Sequence, residues 1–158
     1  MAEEIDFVKE YESYKEEYEL PEFEELARDF DIEKVSEKES SFLIREIRRV
    51  IIEKLSSYLS LFETLINPAS PPMYIFSVLR GISEEDKSDI RKVYKRLSKF
   101  QIKSLKLETI YEEADEARFI KDAFNEWQKI KLDVFKIIEK FEKNVEKENN
   151  SKKSGYFG

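Results

Sequence analysis

The 158-residue chain contains no cysteine and no histidine, only three glycines and four prolines, and no long apolar run. Without cysteine there is no disulfide framework. Without either residue there is no Cys-His or Ser-His-Asp nucleophile, no conventional zinc, haem or iron–sulfur site, and no imidazole switch near neutral pH. Residues 42–55, rich in Leu and Ile, are broken by Arg45, Glu46, Arg48, Arg49, Glu53 and Lys54, and so fall short of the ~18 uninterrupted apolar residues of a membrane span. The first ten residues, MAEEIDFVKE, are acidic and lack the basic flank and apolar centre of a signal peptide. A cytoplasmic protein with no membrane partner is expected.

What is present is charge: 40% of residues are Asp, Glu, Lys or Arg, with a net of −7. Glu and Lys abound while Asn (5), Gln (2) and Met (2) are scarce. This composition resembles that of hyperthermophilic archaeal proteins, and it implies a thermostable chain laced with ion pairs. The hydrophobic share of 41% and aromatic share of 13% are too high for a disordered acidic protein. A chain of ~150 residues buries roughly 70% of its unfolded surface in one core. The expected organisation is a single helical domain over residues 1–148, divided into an acidic N-terminal arm (1–35) and a main bundle (36–148), with a mobile polar tail at 149–158.

With so little Gly and Pro the elements must be long, and their apolar spacing is helical. Phe7, Tyr11, Tyr14 and Tyr18 share one face of a helix over residues 3–18. Pro21 suits the first residue of a short second helix carrying Phe23, Leu26, Ala27 and Phe30. Ser36-x-x-Glu39 reads as a capping box opening a third helix that runs to residue 66. After the proline-rich loop 67–72, a short helix over 73–80 ends at a Gly81 C-cap with Ile82 behind it, and Ser83 caps the next. An uninterrupted helix over residues 84–149 would be about 100 Å long, so a break is placed at 107–110, with Thr109-x-x-Glu112 as capping box or a short extended segment. The last helix carries Ala117 to Val145. The fold class expected is all-α, an irregular bundle of five or six helices with two long antiparallel helices, 37–66 and 109–148, as its spine.

Glu112-Glu113-x-x-Glu116 is the densest interior acidic cluster. Its spacing resembles half of the magnesium site of the all-α nucleoside triphosphate pyrophosphatases of the MazG type, and the resemblance implies a metal held by these three carboxylates for nucleotide hydrolysis. The second half of that pattern, Glu-x-x-Asp on a later helix, is missing. An acidic first turn complementing the helix dipole accounts for the same residues. The Glu-x-x-His pattern of di-iron bundles is excluded by composition. No nucleophile sits in a Gly-rich turn, and no cofactor is expected.

Charge is distributed unevenly. Residues 1–39 carry 16 acidic against 5 basic side chains, a net of −11, while residues 40–158 carry 19 against 23, a net of +4. Residues 90–106 hold seven cations and no anion: Arg91, Lys92, Lys95, Arg96, Lys99, Lys103 and Lys106. On a helix, Arg91, Lys95, Lys99 and Lys103 line up, with Lys92 and Arg96 beside them. The stripe could be a solvated face, could meet the acidic arm of its own or a neighbouring chain, or could bind phosphate backbones if the arm lies elsewhere. The aromatic face Phe7, Tyr11, Tyr14 and Tyr18 is either core packing or a docking surface, and Tyr156-Phe157 could form a short docking motif. The function expected is that of a non-enzymatic interaction or scaffold protein with a protein partner or its own copy, a homodimer among the options. Nucleic-acid association through the stripe is the alternative, and magnesium-dependent hydrolysis at Glu112, Glu113 and Glu116 comes third.

Overall fold

The computed structural model describes residues 2–37 and 41–156. Among them are six α-helices, a 3₁₀ helix and no strand: α1 (Ala2–Tyr18), α2 (Phe23–Asp29), the 3₁₀ helix (Ile32–Glu37), α3 (Leu43–Ile66), α4 (Met73–Gly81), α5 (Glu84–Thr109) and α6 (Glu113–Tyr156). The all-α bundle expected from apolar spacing is what the chain forms.

The spine differs from the expectation. It has three long helices, because α5, at 26 residues, is as long as α3. Arg45 at the start of α3 reaches the carbonyls of Leu107 and Glu108 at the end of α5, and Asp86 at the start of α5 meets Lys140 far along α6. Thus α5 runs antiparallel to both neighbours. It follows that α3 and α6 are parallel and not antiparallel, with Arg48 beside Glu116 near both starts and Tyr58 stacked on Trp127 at 5.4 Å further along. One core joins the three, built from stripes such as Ile44, Ile51 and Leu55 on α3, Ile90, Val93, Leu97 and Phe100 on α5, and Ile120, Trp127, Ile130 and Val134 on α6.

The acidic arm is part of the bundle. Phe7 and Tyr11 are buried, packed edge-on against Phe23, and Leu26, Phe30 and Ile32 reach the same core. Tyr18 donates to Glu113 at 2.9 Å, and Asp29 accepts from Gln128 and Lys131. The segment therefore closes over α3 and α6. Glu19, at φ 54°, ends α1 in the left-handed region, and the Leu20 amide bonds back to the Lys15 carbonyl at 3.2 Å, as in a Schellman turn.

Several local signals act otherwise than expected. Pro21 lies before the α2 cap, Glu22, and is tied down by its carbonyl, which accepts from the Tyr11 hydroxyl. Ser36 opens no helix: it sits in the 3₁₀ turn that buries Ile32 and Val35, and its hydroxyl donates to the Glu33 carbonyl. Its presumed partner Glu39 lies outside the described residues, and α3 starts only at Leu43, behind Phe42. Gly81 has no positive φ, so it is not a left-handed cap. A Cβ there would come within 2.5 Å of the Asn144 side chain, so α4 and α6 approach closely at this point and the Asn144 amide would have to move to admit a larger residue. Ser83 does cap α5, exchanging bonds with Asp86 in a full capping box.

The α5–α6 break exists but comes later than it was placed, at residues 110–112 instead of 107–110, and Thr109 caps nothing. Its hydroxyl donates to the Lys106 carbonyl, and the α6 amides of Asp115 and Glu116 are received by the Glu112 carbonyl. No extended segment forms there; α5 is helical through Thr109. At the far end α6 continues past residue 148 to Tyr156, so the helix includes most of the segment expected to be a tail. Phe157, half of the suggested docking motif, lies outside the described residues.

Candidate functional site

Helix α5 divides its charges from its apolar residues by period alone. Ile90, Val93, Leu97, Phe100 and Ser104 face inward, and the opposite face carries Arg91, Lys92, Lys95, Lys99, Lys103 and Lys106, all exposed. At ~1.5 Å per residue this row is about 22 Å long. Arg96 leaves it: half-buried on the α6 side, its guanidinium is held by Glu126. Lys92 has only a loose pair with Asp89 at 3.9 Å, and the Lys103 ammonium lies 5.4 Å from the Phe100 ring centroid. Among the described residues, Arg91, Lys95, Lys99, Lys103 and Lys106 have no carboxylate within ion-pair distance. Along one flank Ile102 is 67% and Leu105 57% exposed. On the same side a groove of about 480 Å³ between α3 and α5 is lined by Ile66 and Tyr94 together with Glu63, Arg91, Lys92 and Lys95.

Among the described residues the arm does not neutralise this row. Its ion pairs beyond itself run to α3 and α6, as Lys34 with Glu53, Glu19 with Lys121 and Asp29 with Lys131. None among the described residues joins it to α5. Instead α1 and α2 present an outward face of their own, where Asp6, Glu10, Glu16, Glu17, Glu24 and Glu25 are exposed and form no ion pair among the described residues.

A second constellation is buried. Arg48 and Glu116 are both fully enclosed, and the Arg48 guanidinium donates to Glu116, to the Ser104 hydroxyl at 2.7 Å and to Glu108 at 2.7 Å. Glu108 also accepts two parallel bonds from Arg49 at 2.9 Å each, while Arg45 holds the Glu108 carbonyl and lies 3.9 Å from Glu116. The paired Arg49 guanidinium holds the Glu108 carboxyl down at about 2, with Arg48 adding to the effect. Burial pushes Glu116 upward, with Arg48 and Arg45 pulling the other way. The cluster joins the start of α3, the end of α5 and the start of α6. Sequence reasoning missed it although a signal was there. Arg48 falls in the stripe Ile44, Ile51, Leu55; Ser104 continues Ile90, Val93, Leu97, Phe100; Glu116 begins Ile120, Ala123, Trp127. Each polar member occupies a core position of its own helix.

The suggested metal-binding carboxylates do not converge. Glu116 is spent on Arg48, Glu113 accepts from Tyr18, and Glu112 is the residue whose carbonyl starts α6. Among the described residues no group of three carboxylates is placed to hold a metal ion. The aromatic face of α1 is likewise committed: Phe7 and Tyr11 lie inside the chain's own core, with Tyr14 and Tyr18 half-buried at its edge, which removes them as a free docking surface. Burial and the nearby carboxylate of Glu113 push the Tyr14 hydroxyl up to about 12. A cleft of about 400 Å³ between α5 and α6 is lined by Lys92, Arg96, Lys136 and Lys140 with Asp89 and Asp133, but Arg96 and Lys140 are already held by Glu126 and Asp86. No helix among the described residues is long and apolar enough to cross a membrane.

The arrangement offers a linear cationic surface with an apolar edge and, elsewhere, a separate acidic face. No family model matches this chain, and no curated protein or solved structure is similar enough to count as a match.

Proposed function

We propose that this chain is a non-enzymatic interaction protein that presents the outer face of α5 to an acidic protein partner. The observation that carries this reading is the row Arg91, Lys92, Lys95, Lys99, Lys103 and Lys106, exposed along one helix and left without neutralisation by the chain's own acidic segment. Complementary charge across such a surface steers encounter and sets register more than it adds affinity. The exposed Ile102 and Leu105, with Ile66 and Tyr94 in the adjacent groove, favour a partner with an apolar edge over a bare phosphate backbone.

The distance of the acidic segment from the row supports a second reading, association with nucleic acid through the same cations. One titration separates the two. The probes are a labelled, Glu-rich amphipathic helical peptide with a leucine face and a labelled single-stranded DNA of equal charge. The proposal expects peptide binding that weakens at least about tenfold when Lys95 and Lys99 become Gln, and that also weakens in Ile102→Ser. Tighter binding of the DNA, indifferent to Ile102→Ser, transfers the function to nucleic acid. Absence of salt-sensitive binding by either probe overturns both readings.

A further inference from the structure

We infer that the acidic partner is a second copy of this chain, whose α1–α2 face docks on α5 of its neighbour, an inference that rests on the function proposed above. The two faces are complementary in sign and availability; no large apolar side chain is exposed on α1 or α2 among the described residues, so Ile102 and Leu105 lie at the edge of this contact and take no part in it. On α1 the exposed carboxylates Asp6, Glu10, Glu16 and Glu17 extend over residues 6–17, about 17 Å at ~1.5 Å per residue. On α5 the cations from Arg91 to Lys106 extend over about 22 Å, somewhat longer than the acidic row. Both rows stand outside the core on rigid helices: Phe7 and Tyr11 anchor α1, and Val93, Leu97 and Phe100 anchor α5. Neither row forms ion pairs with the other inside one chain, because α1 and α2 close over α3 and α6 while the α5 row faces away from both.

The geometry dictates the kind of assembly. α1 and α2 cover α3 and α6 on the side of the bundle away from the outer face of α5, so the acidic and basic faces stand back to back and the contact is head to tail and not self-complementary. A head-to-tail contact leaves a free face at each end and continues into a ring or an open chain. The same asymmetry explains how a protein of net charge −7 attracts its own copy: the charges that meet are those of the two rows, at distances below the ~8 Å screening length of physiological salt, whereas the net charge acts from further away. Docking then places the carboxylates of α1 against the cations of α5, an arrangement that raised salt dissolves.

Sedimentation velocity on the full chain tests this. The wild type is expected to exceed the mass of a dimer at about 0.1 M salt, where the screening length is ~10 Å, and to fall to the monomer mass near 1 M. Two neutralised variants are compared, Arg91→Gln with Lys95→Gln and Lys99→Gln on the basic face, and Glu10→Gln with Glu16→Gln and Glu17→Gln on the acidic face. Each alone is expected to read as monomer at low salt. Mixed in equal amounts they retain one intact face each, and the mixture is expected to read twice the monomer mass and no more. A wild type monomeric at low salt, a mixture that stays monomeric, or an oligomer that survives neutralisation of either face overturns the inference. If the acidic peptide still binds α5 in those cases, the proposed function stands and only the identity of the partner falls.

Discussion

Two groups of cations in this protein, similar in sequence, are opposite in situation. Arg45, Arg48 and Arg49 at the start of α3 are gathered into a network with Glu46, Glu108 and Glu116 whose centre is wholly enclosed, while Arg91, Lys95, Lys99, Lys103 and Lys106 of α5 stand in water with no carboxylate in reach among the described residues. The difference lies in register. Arg48 occupies a position that α3 turns towards α5 and α6, whereas Arg91, Lys95 and Lys99 occupy the positions that α5 turns away from the core. A buried charge must be matched group by group, because its desolvation is repaid only by partners of good geometry. An exposed row has no such requirement and is left available to something outside the chain.

The sharpest way to break the comparison is to remove one member of the buried pair. Arg48→Met leaves Glu116 enclosed without its partner and is expected to destabilise by about 3–5 kcal/mol in chemical denaturation. Adding Glu116→Leu should return most of that loss, since an apolar pair of similar volume replaces the ion pair with no stranded charge. A double variant as unstable as the single one would show that the arginine's packing, and not its charge, matters.

The acid limb of stability follows next. Glu108 is held at about 2 against its ordinary 4.5, so the folded state binds fewer protons than the unfolded chain between those values. Its contribution is complete above about pH 4.5 and is lost as pH falls through about 2, while Glu116, displaced upward by burial, offsets part of that loss. In Glu108→Gln the pH dependence of the denaturation midpoint should be flatter over this window, and the midpoint at neutral pH lower. Fluorescence of Trp127, the only tryptophan, buried against Tyr58 and Phe30, provides the readout.

Smaller effects test the local signals. Ser83→Ala deletes the α5 capping box and is expected to lower stability by about 1 kcal/mol, whereas Ser36→Ala, outside any cap, should have a lesser effect. Smallest of all, the triple neutralisation of Arg91, Lys95 and Lys99 to Gln should leave thermal stability within about 0.5 kcal/mol while abolishing association. If that variant unfolded readily, the α5 row would belong to the fold and not to a partner.

Particular residues show how far reading along the chain reaches. Ser83 was legible because both members of its box lie within one turn and bond to each other. Ser36 offered the same pattern and did something else, since burial of Ile32 and Val35 on a 3₁₀ turn outweighed it. Gly81 was read as a left-handed cap, whereas what distinguishes it in the fold is its closeness to the Asn144 side chain on α6. Glu19 gave no hint of a left-handed residue, because that conformation is imposed by the turn between two buried helices and not favoured by glutamate. The cation row could be placed on one helix face from spacing alone, yet whether the acidic segment covered it depended on where α1 and α2 packed.

By itself, then, the sequence determined that this chain is all-α, that the proline-rich loop ends α3 at Ile66, and which chemistries its composition forbids, because periodicity, prolines and local caps act within a few residues. Only the tertiary structure decided that α3 and α6 are parallel, that Arg48 and Glu116 meet in the core, and that the acidic and basic halves of the charge face outward in different places. Those outcomes depend on contacts between residues some 60 to 100 positions apart, as in Arg48 with Glu116 (68 apart) and Tyr18 with Glu113 (95 apart), and no local pattern encodes them.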